Sequence, residues 1–217
     1  EEKVLALRDK HPAWGGRKLR ARLLAQGETR VPAASTITEI LRRHGRLDPE
    51  ESAKREAPLR FERERPNDLW QMDFKGEFAL VGGGKCYPLT ILDDRSRFSL
   101  CVRACDGTKG SGVKEALTAV FRRYGLPREL LTDNGTPWAV SPDRSAHTRL
   151  SAWLMRLDVK PIRGRPYHPQ TQGKEERFHR TLKAEVLRGR LFETHREVQT
   201  SFDAWREIYN HERPHEA

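Results

Sequence analysis

Cysteine is scarce in this chain: Cys86, Cys101 and Cys105 are the only three among 217 residues. That is too few for a disulfide framework, and Cys101 and Cys105 have no second pair with which to build a zinc cluster. A reducing compartment is therefore expected. No run of about 18 apolar residues exists. The opening EEKVLALRDK has neither the basic start nor the apolar core of a secretory signal, so membrane spans and export are not expected. The phosphate-loop pattern Gly-x-x-x-x-Gly-Lys-Ser/Thr is missing as well. GGGK at 82–85, with strand-like sequence on both sides, reads as a hairpin turn. The chain opens on Glu1 rather than Met and ends at Ala217 within a polar stretch, so it reads as a piece excised from a longer protein.

What is present in excess is positive charge. The net charge is +10 and the isoelectric point near 9.8, the electrostatic footprint of a protein that meets a polyanion. Residues 1–60 carry +5 and residues 61–217 the other +5, so the excess is steeper in the first quarter. Segment 161–190 alone sums to +5, which leaves the rest of the second part near neutral. Apolar residues (36%) barely outnumber charged ones (33%), but five Trp, eight Phe and four Tyr supply the bulk for a folded core.

The first part reads as helical. Leu19 and Leu23 recur one turn apart in GGRKLRARLLAQ, GETRVP breaks the pattern, and Ile37, Ile40 and Leu41 recur in STITEILRRHG. Two short helices around a turn have helix-turn-helix spacing. Ser35 or Thr36 is placed to cap the second helix, Thr36-x-x-Glu39 fits a capping box, and Gly45 is placed to end it. Arg42 and Arg43 would then sit near the end of a recognition helix, with Arg17, Lys18, Arg20 and Arg22 on its partner to grip phosphates. A plain helical packing appendage has the same pattern. Residues 1–46 are assigned to this unit, 47–66 to a solvated linker of Pro and mixed charge, and 67–217 to a second unit with a shortened C-terminus.

From Asn67 the pattern turns to strands: LWQMDFKGEFALV, CYPLTILDD and FSLCVRAC, compatible with an antiparallel meander. VKEALTAVFRRYG then reads as helix, RELLTDNG as strand, HTRLSAWLMRL as helix and VKPIRG as strand. TQGKEERFHRTLKAEVLRG and HREVQTSFDAWREIYNHE read as two closing helices, the second with Phe202, Trp205 and Tyr209 on one stripe. Three strands followed by strand-helix alternation predict a mixed α/β sheet with helices on both faces.

Certain carboxylates stand where chemistry is the best reason for them. Asp73 lies within the apolar strand LWQMDF, where an unpaired carboxylate is costly and needs a cation or hydrogen-bond donors. Asp133 ends the strand in LLTDNG, at the kind of strand end where sites form, although an Asn-Gly turn alone would also use it. Glu175 or Glu176, in the first turns of GKEERFHRTLK, would supply a third. Three such oxygen donors suit Mg²⁺ or Mn²⁺, and a pair of ions about 3.5–4 Å apart serves phosphoryl transfer without a His or Ser nucleophile. Asp93 and Asp94 in ILDDRSRF read as hairpin-end residues with Arg95 and Arg97 as local partners.

WQMDF, LTDNG and HPQTQGKEERFHRTLK resemble the three motifs of the DDE transposase and retroviral-type integrase core, above all in transposases of bacterial insertion sequences. WGGRKLRARLLAQG…VPAASTITEILRRHG resembles the helix-turn-helix that precedes that core, and AWREIYNHERPHEA its C-terminal signature. The resemblance implies an α/β fold, a ribonuclease-H-like mixed sheet flanked by helices, behind a small all-α helix-turn-helix domain. It also implies Asp73, Asp133 and Glu176 as the catalytic, metal-holding residues, Glu176 being the third residue after Gly173, with Lys183 as the basic residue seven later.

Helix geometry tests that choice independently. At about 100° per residue, Phe178, Leu182 and Val186 form an apolar stripe centred on Leu182, with Glu175 about 20° and Glu176 about 120° from its centre and Lys183 about 20° from Glu176. Glu176 and Lys183 therefore share a polar face. Glu175 is expected to be a flanking residue on a first turn that is not yet buried. Forty-two residues separate Asp133 from Glu176, more than the family's usual spacing, and loop 137–148 accounts for the surplus.

By the same resemblance Lys183 would hold a DNA phosphate, and Arg180, on the same helix, would also contact DNA. Asn134 would either lie near DNA or merely shape the turn, His168 would approach metal or phosphate or be a plain loop residue, and His179 would face DNA or solvent. The implied activity is that of a DNA transposase or integrase: hydrolysis of a phosphodiester at element ends, then transfer of the 3′-OH into target DNA, with two Mg²⁺ (or Mn²⁺) ions. Implied partners are the element's terminal repeats, target DNA and a second copy of the chain or more, with no membrane. The implied location is the bacterial cytoplasm at the nucleoid. A ribonuclease-H-like nuclease without joining and an inactive or co-opted DNA-binding relic are the alternatives. The C-terminal signature argues against the first and the presence of all three carboxylates against the second.

Overall fold

Strand β1, Leu69–Phe74, is buried without a break from Leu69 to Met72, as a strand must be in a sheet covered on both faces. It lies in a computed structural model that describes residues 1–47, 63–133, 135, 138, 147–163 and 173–215. The expected linker and the loop 137–148 fall mostly outside these residues, and Asn134 and His168 wholly so.

β1 pairs antiparallel with β3, Lys85–Asp93, which pairs antiparallel in turn with β4, Ser99–Cys105. The strand pattern that ran on from β1 toward Val81 is broken at residues 75–77, and the short β2, Phe78–Ala79, pairs with the start of β3. The Leu80 N–H donates to the Gly84 carbonyl at 3.1 Å across the expected hairpin. On its other side β1 pairs parallel with β5, Glu129–Thr132, which pairs parallel with β6, Lys160–Arg163. The sheet is thus mixed, as alternation after the third strand predicts.

Two-residue periodicity divides the sheet's side chains between two cores. Trp70, Met72, Leu89 and Ile91 pack with α4, Gly110–Tyr124, and α5, Arg149–Arg156. Cys86, Leu92 and Val102 pack with α6, Gly173–Leu182, and α7, His195–Glu207. The last two helices run on into π-helical turns, Lys183–Leu187 and Ile208–Glu212, where the sequence pattern predicted uninterrupted α-helix. All three cysteines are free thiols on β3 and β4, and burial pushes Cys86 and Cys101 up to about 12. Among the described residues no helix is long and apolar enough to cross a membrane.

The N-terminal unit has one helix more than expected. α1, Glu2–Lys10, precedes α2, Gly16–Ala25, and α3, Ala34–Arg43; it offers only Val4 and Leu7 as fully buried residues, too few for a legible stripe. Leu19, Ile37, Leu41 and Trp14 fill the core between them. The predicted cap of α3 is not formed. Ala33 is the N-cap, Ser35 and Thr36 lie inside the helix, and the Thr38 hydroxyl donates to the Ala34 carbonyl instead. The predicted stop is formed: Gly45 has φ +63°, its N–H donates to the Arg42 carbonyl and the Arg46 N–H to that of Leu41. At Gly16 a Cβ would lie 2.4 Å from the Ala34 carbonyl oxygen and 2.5 Å from the Thr38 hydroxyl, so α2 and α3 meet backbone to backbone only because it is glycine. Glu212 joins this unit to the second, accepting from Lys10 at 3.1 Å and Arg22 at 3.2 Å, so Arg22 is turned toward the chain rather than a phosphate.

The β3–β4 turn anchors the start of α6. Asp94, with no exposed surface, accepts from the Gln71 amide at 2.7 Å, the Arg63 N–H at 2.7 Å and Lys174 Nζ at 2.6 Å. Asp93 accepts from the N–H groups of Asn67 and Ser96 and from the Ser96 hydroxyl. Both Asp residues are hairpin-end residues, as expected, and Asp94 also ties the hairpin to α6. Removing one partner of a buried ion pair costs about 3–5 kcal/mol. Lys174→Met, which leaves Asp94 two donors, is predicted to destabilise the chain by about 3 kcal/mol in urea unfolding.

Candidate active site

Register brings the first two carboxylates together. Gln71 of β1 lies opposite Leu131 of β5 in the parallel pair, and two residues further on the same register sets Asp73 beside Asp133. Parallel neighbours are about 4.8 Å apart. Both sit at the carboxyl ends of their strands, Asp73 as the fifth of six residues and Asp133 just past Thr132. The Asp133 carboxylate accepts from the Gly135 N–H at 3.0 Å, and Asp73 from the N–H of Phe74 at 2.8 Å. Trp138 is buried and stacked on Phe74 of β1.

The third carboxylate comes from α6, which lies across β1 and β3. Glu175 is buried and Glu176 exposed, the division that the helical angles predict. The expectation that Glu175 sits on an unburied first turn fails. Its Oε2 accepts from the Thr90 hydroxyl at 3.2 Å, its Oε1 has no partner among the described residues, and burial followed by the Asp73 charge raises its pKa well above the ordinary 4.5. Burial disfavours the charged form of an acid so placed.

Asp73 feels the charge of both other carboxylates. Its pKa is pushed up to about 7, first by burial and then by the charge of Asp133, with Glu176 adding to the rise and the Phe74 N–H opposing it. Both predicted partners are thus within charge range of Asp73. The donor set is all oxygen and crowded with negative charge, which fits a hard divalent cation. Among the described residues no three acidic, His or Cys side chains are gathered tightly enough to enclose an ion, so the trio is an open arrangement.

Two of the neighbours, Thr90 and Lys75, were not singled out by sequence. Thr90, opposite Asp73 on β3, lies 2.8 Å from His179 Nε2, and its one proton can serve only one of its neighbours at a time. His179 packs inward, 3.9 Å from Asp73 and 3.5 Å from Glu175, rather than facing DNA or solvent as expected. Burial and then the Lys75 charge bring it down to about 4, so it is neutral at pH 7. Lys75, half-buried just past β1, has its pKa lowered by burial and then by the charge of Lys183. Lys75 and Lys183 therefore share one side of the site. A lone Thr in the apolar run PLTIL was the legible sign of Thr90; the only sign of Glu175 was its angle on the stripe. Arg180 is exposed, as are Arg17, Arg42 and Arg43, while Lys18 is half-buried. Arg42 pairs with Glu39, and Arg43 with Glu1 at 2.9 Å, so neither exposed arginine of α3 stands alone.

The architecture is ribonuclease-H-like, the class that houses polynucleotidyl transferases of the integrase type. The chain belongs to the integrase core domain family: residues 63–169 match one description of that domain and residues 157–217 another. It is 30% identical over 150 residues to an uncharacterized 39.2 kDa protein of insertion element IS476 from Xanthomonas euvesicatoria, covering 69% of this chain and 41% of that one. The chain spans about half or less of the length of the curated relatives it matches. Among solved structures, the simian T-cell lymphotropic virus intasome aligns over 96% of this chain and 68% of its own, with TM-score 0.56 and 16% identity. The catalytic core domain of BIV integrase aligns over 69% and 88%, with TM-score 0.50 and 24% identity. These two similarities bear on the fold.

Ionising Asp73 in the folded, ion-free chain works against the stability of the fold, because its folded pKa of about 7 exceeds the ordinary 3.8. The penalty is absent below pH 3.8, grows as pH rises and is complete above 7. Asp73→Asn is predicted to stabilise the ion-free chain at pH 8, by at most about 4 kcal/mol at about 1.4 kcal/mol per pH unit. The gain should vanish near pH 4, as read by urea unfolding in a chelating buffer at both pH values.

Proposed function

We propose that this chain is the catalytic part of a DNA transposase, which cuts a phosphodiester at the ends of a mobile element and joins the freed 3′-OH to target DNA. The observation that carries the reading is Asp73 beside Asp133 at the ends of parallel strands, lifted to about 7 with Glu176 within charge range. Asp73, Asp133 and Glu176 would hold the divalent ions, Mg²⁺ or Mn²⁺ and two in number. Bound there, such ions make water or a 3′-OH a better nucleophile and neutralise charge on the phosphoryl oxygens.

The remaining work falls to the chain's own side chains. Lys75 and Lys183, on one side of the carboxylates, draw the DNA backbone to the site, and Arg180 extends that face along α6. Thr90 and the neutral His179 pack against Asp73 and fix its orientation. Water displaces the first 3′ oxygen, and that oxygen then attacks the target phosphodiester; no side chain becomes covalently attached in either step. Catalysis is mainly positioning and charge neutralisation. The α1–α3 unit, with Arg17, Lys18, Arg42 and Arg43, holds the element-end DNA, and Asn134 and His168, outside the described residues, are proposed as further contacts. Two ends call for at least two copies of the chain. The place of action is the bacterial cytoplasm, on the nucleoid.

Asp133→Asn is the direct test, on a duplex carrying the element's flanking sequence with Mn²⁺. Cleavage and joining should fall to background while DNA binding by anisotropy stays equal or tightens, because the change removes a negative charge near the backbone. Cutting without joined product in the unaltered chain would mark a nuclease, and binding without cutting a relic.

A further inference from the structure

Helix α6 has a second charged side. Measured around the helix from Glu176 at about 100° per residue, Arg177, Thr181 and Lys174 lie about 100°, 140° and 160° away. They form one wall of a cavity of about 240 Å³ whose opposite wall is α2 of the N-terminal unit. Six basic side chains line it: Arg17 and Lys18 from α2, Lys174 and Arg177 from α6, Arg97 from the β3–β4 turn, and Arg213 from the chain beyond α7. No Asp or Glu does.

Lys174 pairs with buried Asp94 and Arg213 with Glu185. Arg17 and Arg177, on facing walls, have no carboxylate partner among the described residues. The positive field is felt inside the cavity. The His215 imidazole on its lining is held below its ordinary pKa, by burial first and also by the charges of Arg213, Lys18 and Arg97. Like charges gathered from four parts of the chain repel one another and need a reason to be there.

We propose that this cavity is a phosphate-binding cleft in which Arg17 and Arg177 together hold one backbone phosphate of DNA, on the side of α6 turned away from Glu176. This rests on the reading of the chain as a DNA-binding transposase and adds to it a contact that the carboxylate site does not make. DNA held here spans α2 and α6, so the helix that grips it and the helix that carries the acid are set by the same strand. The occupant is an oxyanion, which a DNA backbone or a free phosphate could supply, and the test separates the two.

The test uses the whole 217-residue chain and a fluorescein-labelled duplex of mixed sequence, with anisotropy Kd measured across a range of KCl concentrations. Log affinity falls against log salt with a slope of about 0.9 per phosphate neutralised. Arg17→Gln and Arg177→Gln should each reduce that slope by about one. The double variant should reduce it by about one and no further, because both side chains serve the same phosphate. Arg196→Gln, an exposed cation on α7 outside the cavity, should leave the slope unchanged. A drop of about two in the double variant would put the arginines on separate phosphates and overturn the shared cleft. So would single variants that behave like Arg196→Gln, with the wild-type slope intact; that result leaves the transposase reading standing. No wild-type binding at low salt would remove that reading as well. A ³¹P titration with inorganic phosphate is the last arm: binding lost in Arg177→Gln, with the DNA slopes unaltered, would assign the cavity to a free anion and overturn the DNA assignment.

Discussion

Parallel pairing of β1 with β5 is the constraint on which the site depends. A shift of one residue in that register would move Asp73 to the level of a different neighbour and turn the facing side chains to opposite faces. Held as it is, the pairing sets two carboxylates level at the end of the sheet, where a strand neighbour is about 4.8 Å away and water is partly excluded. The sheet's two cores maintain this arrangement from either face. Trp70 and Met72 hold β1 against α4 and α5, while α6 closes the other face with Phe178 and Leu182. The raised pKa of Asp73 is the electrostatic cost of setting two carboxylates level in a stable sheet.

α6 organises charge of both signs. Its buried stripe fixes its roll on the sheet, and the Lys174–Asp94 pair fixes its start against the hairpin that also bears Thr90. With roll and start fixed, Glu176 falls on one side and Arg177 on another without further machinery. Between those sides and the sheet, burial raises the pKa of Glu175 and brings His179 down to about 4, so His179 is neutral at pH 7. His179, which could have added charge at the site, instead packs against Asp73 as shape.

Much of this was legible in the sequence because it depends on local pattern. The strands, the helix pair, the GGGK hairpin and the Gly45 stop all follow from periodicity and turn chemistry acting over a few residues. Asp73 announced itself as a charge in an apolar strand, and helical angle alone separated Glu176 from Glu175. What escaped notice depends on partners distant along the chain. The inward turn of His179 is set by Thr90 and Asp73, the burial of Glu175 by the sheet beneath it, and the Lys174–Asp94 tie by residues 80 apart. The short α1 is helical because it completes a three-helix core, not because its own sequence is strongly periodic, and the capping box at Thr36 was lost because α3 begins two residues earlier at Ala34.

The contact at Gly16 bears on how this lineage can change. Because α2 and α3 touch through bare backbone there, no side chain can be added to splay or re-angle the pair without breaking it. Change in this unit can then come only by exchanging residues on its exposed faces, one letter at a time, over a frame that stays the same. The unit's evolvability is concentrated in its surface chemistry, and a single hydrogen atom in place of a methyl group keeps it there.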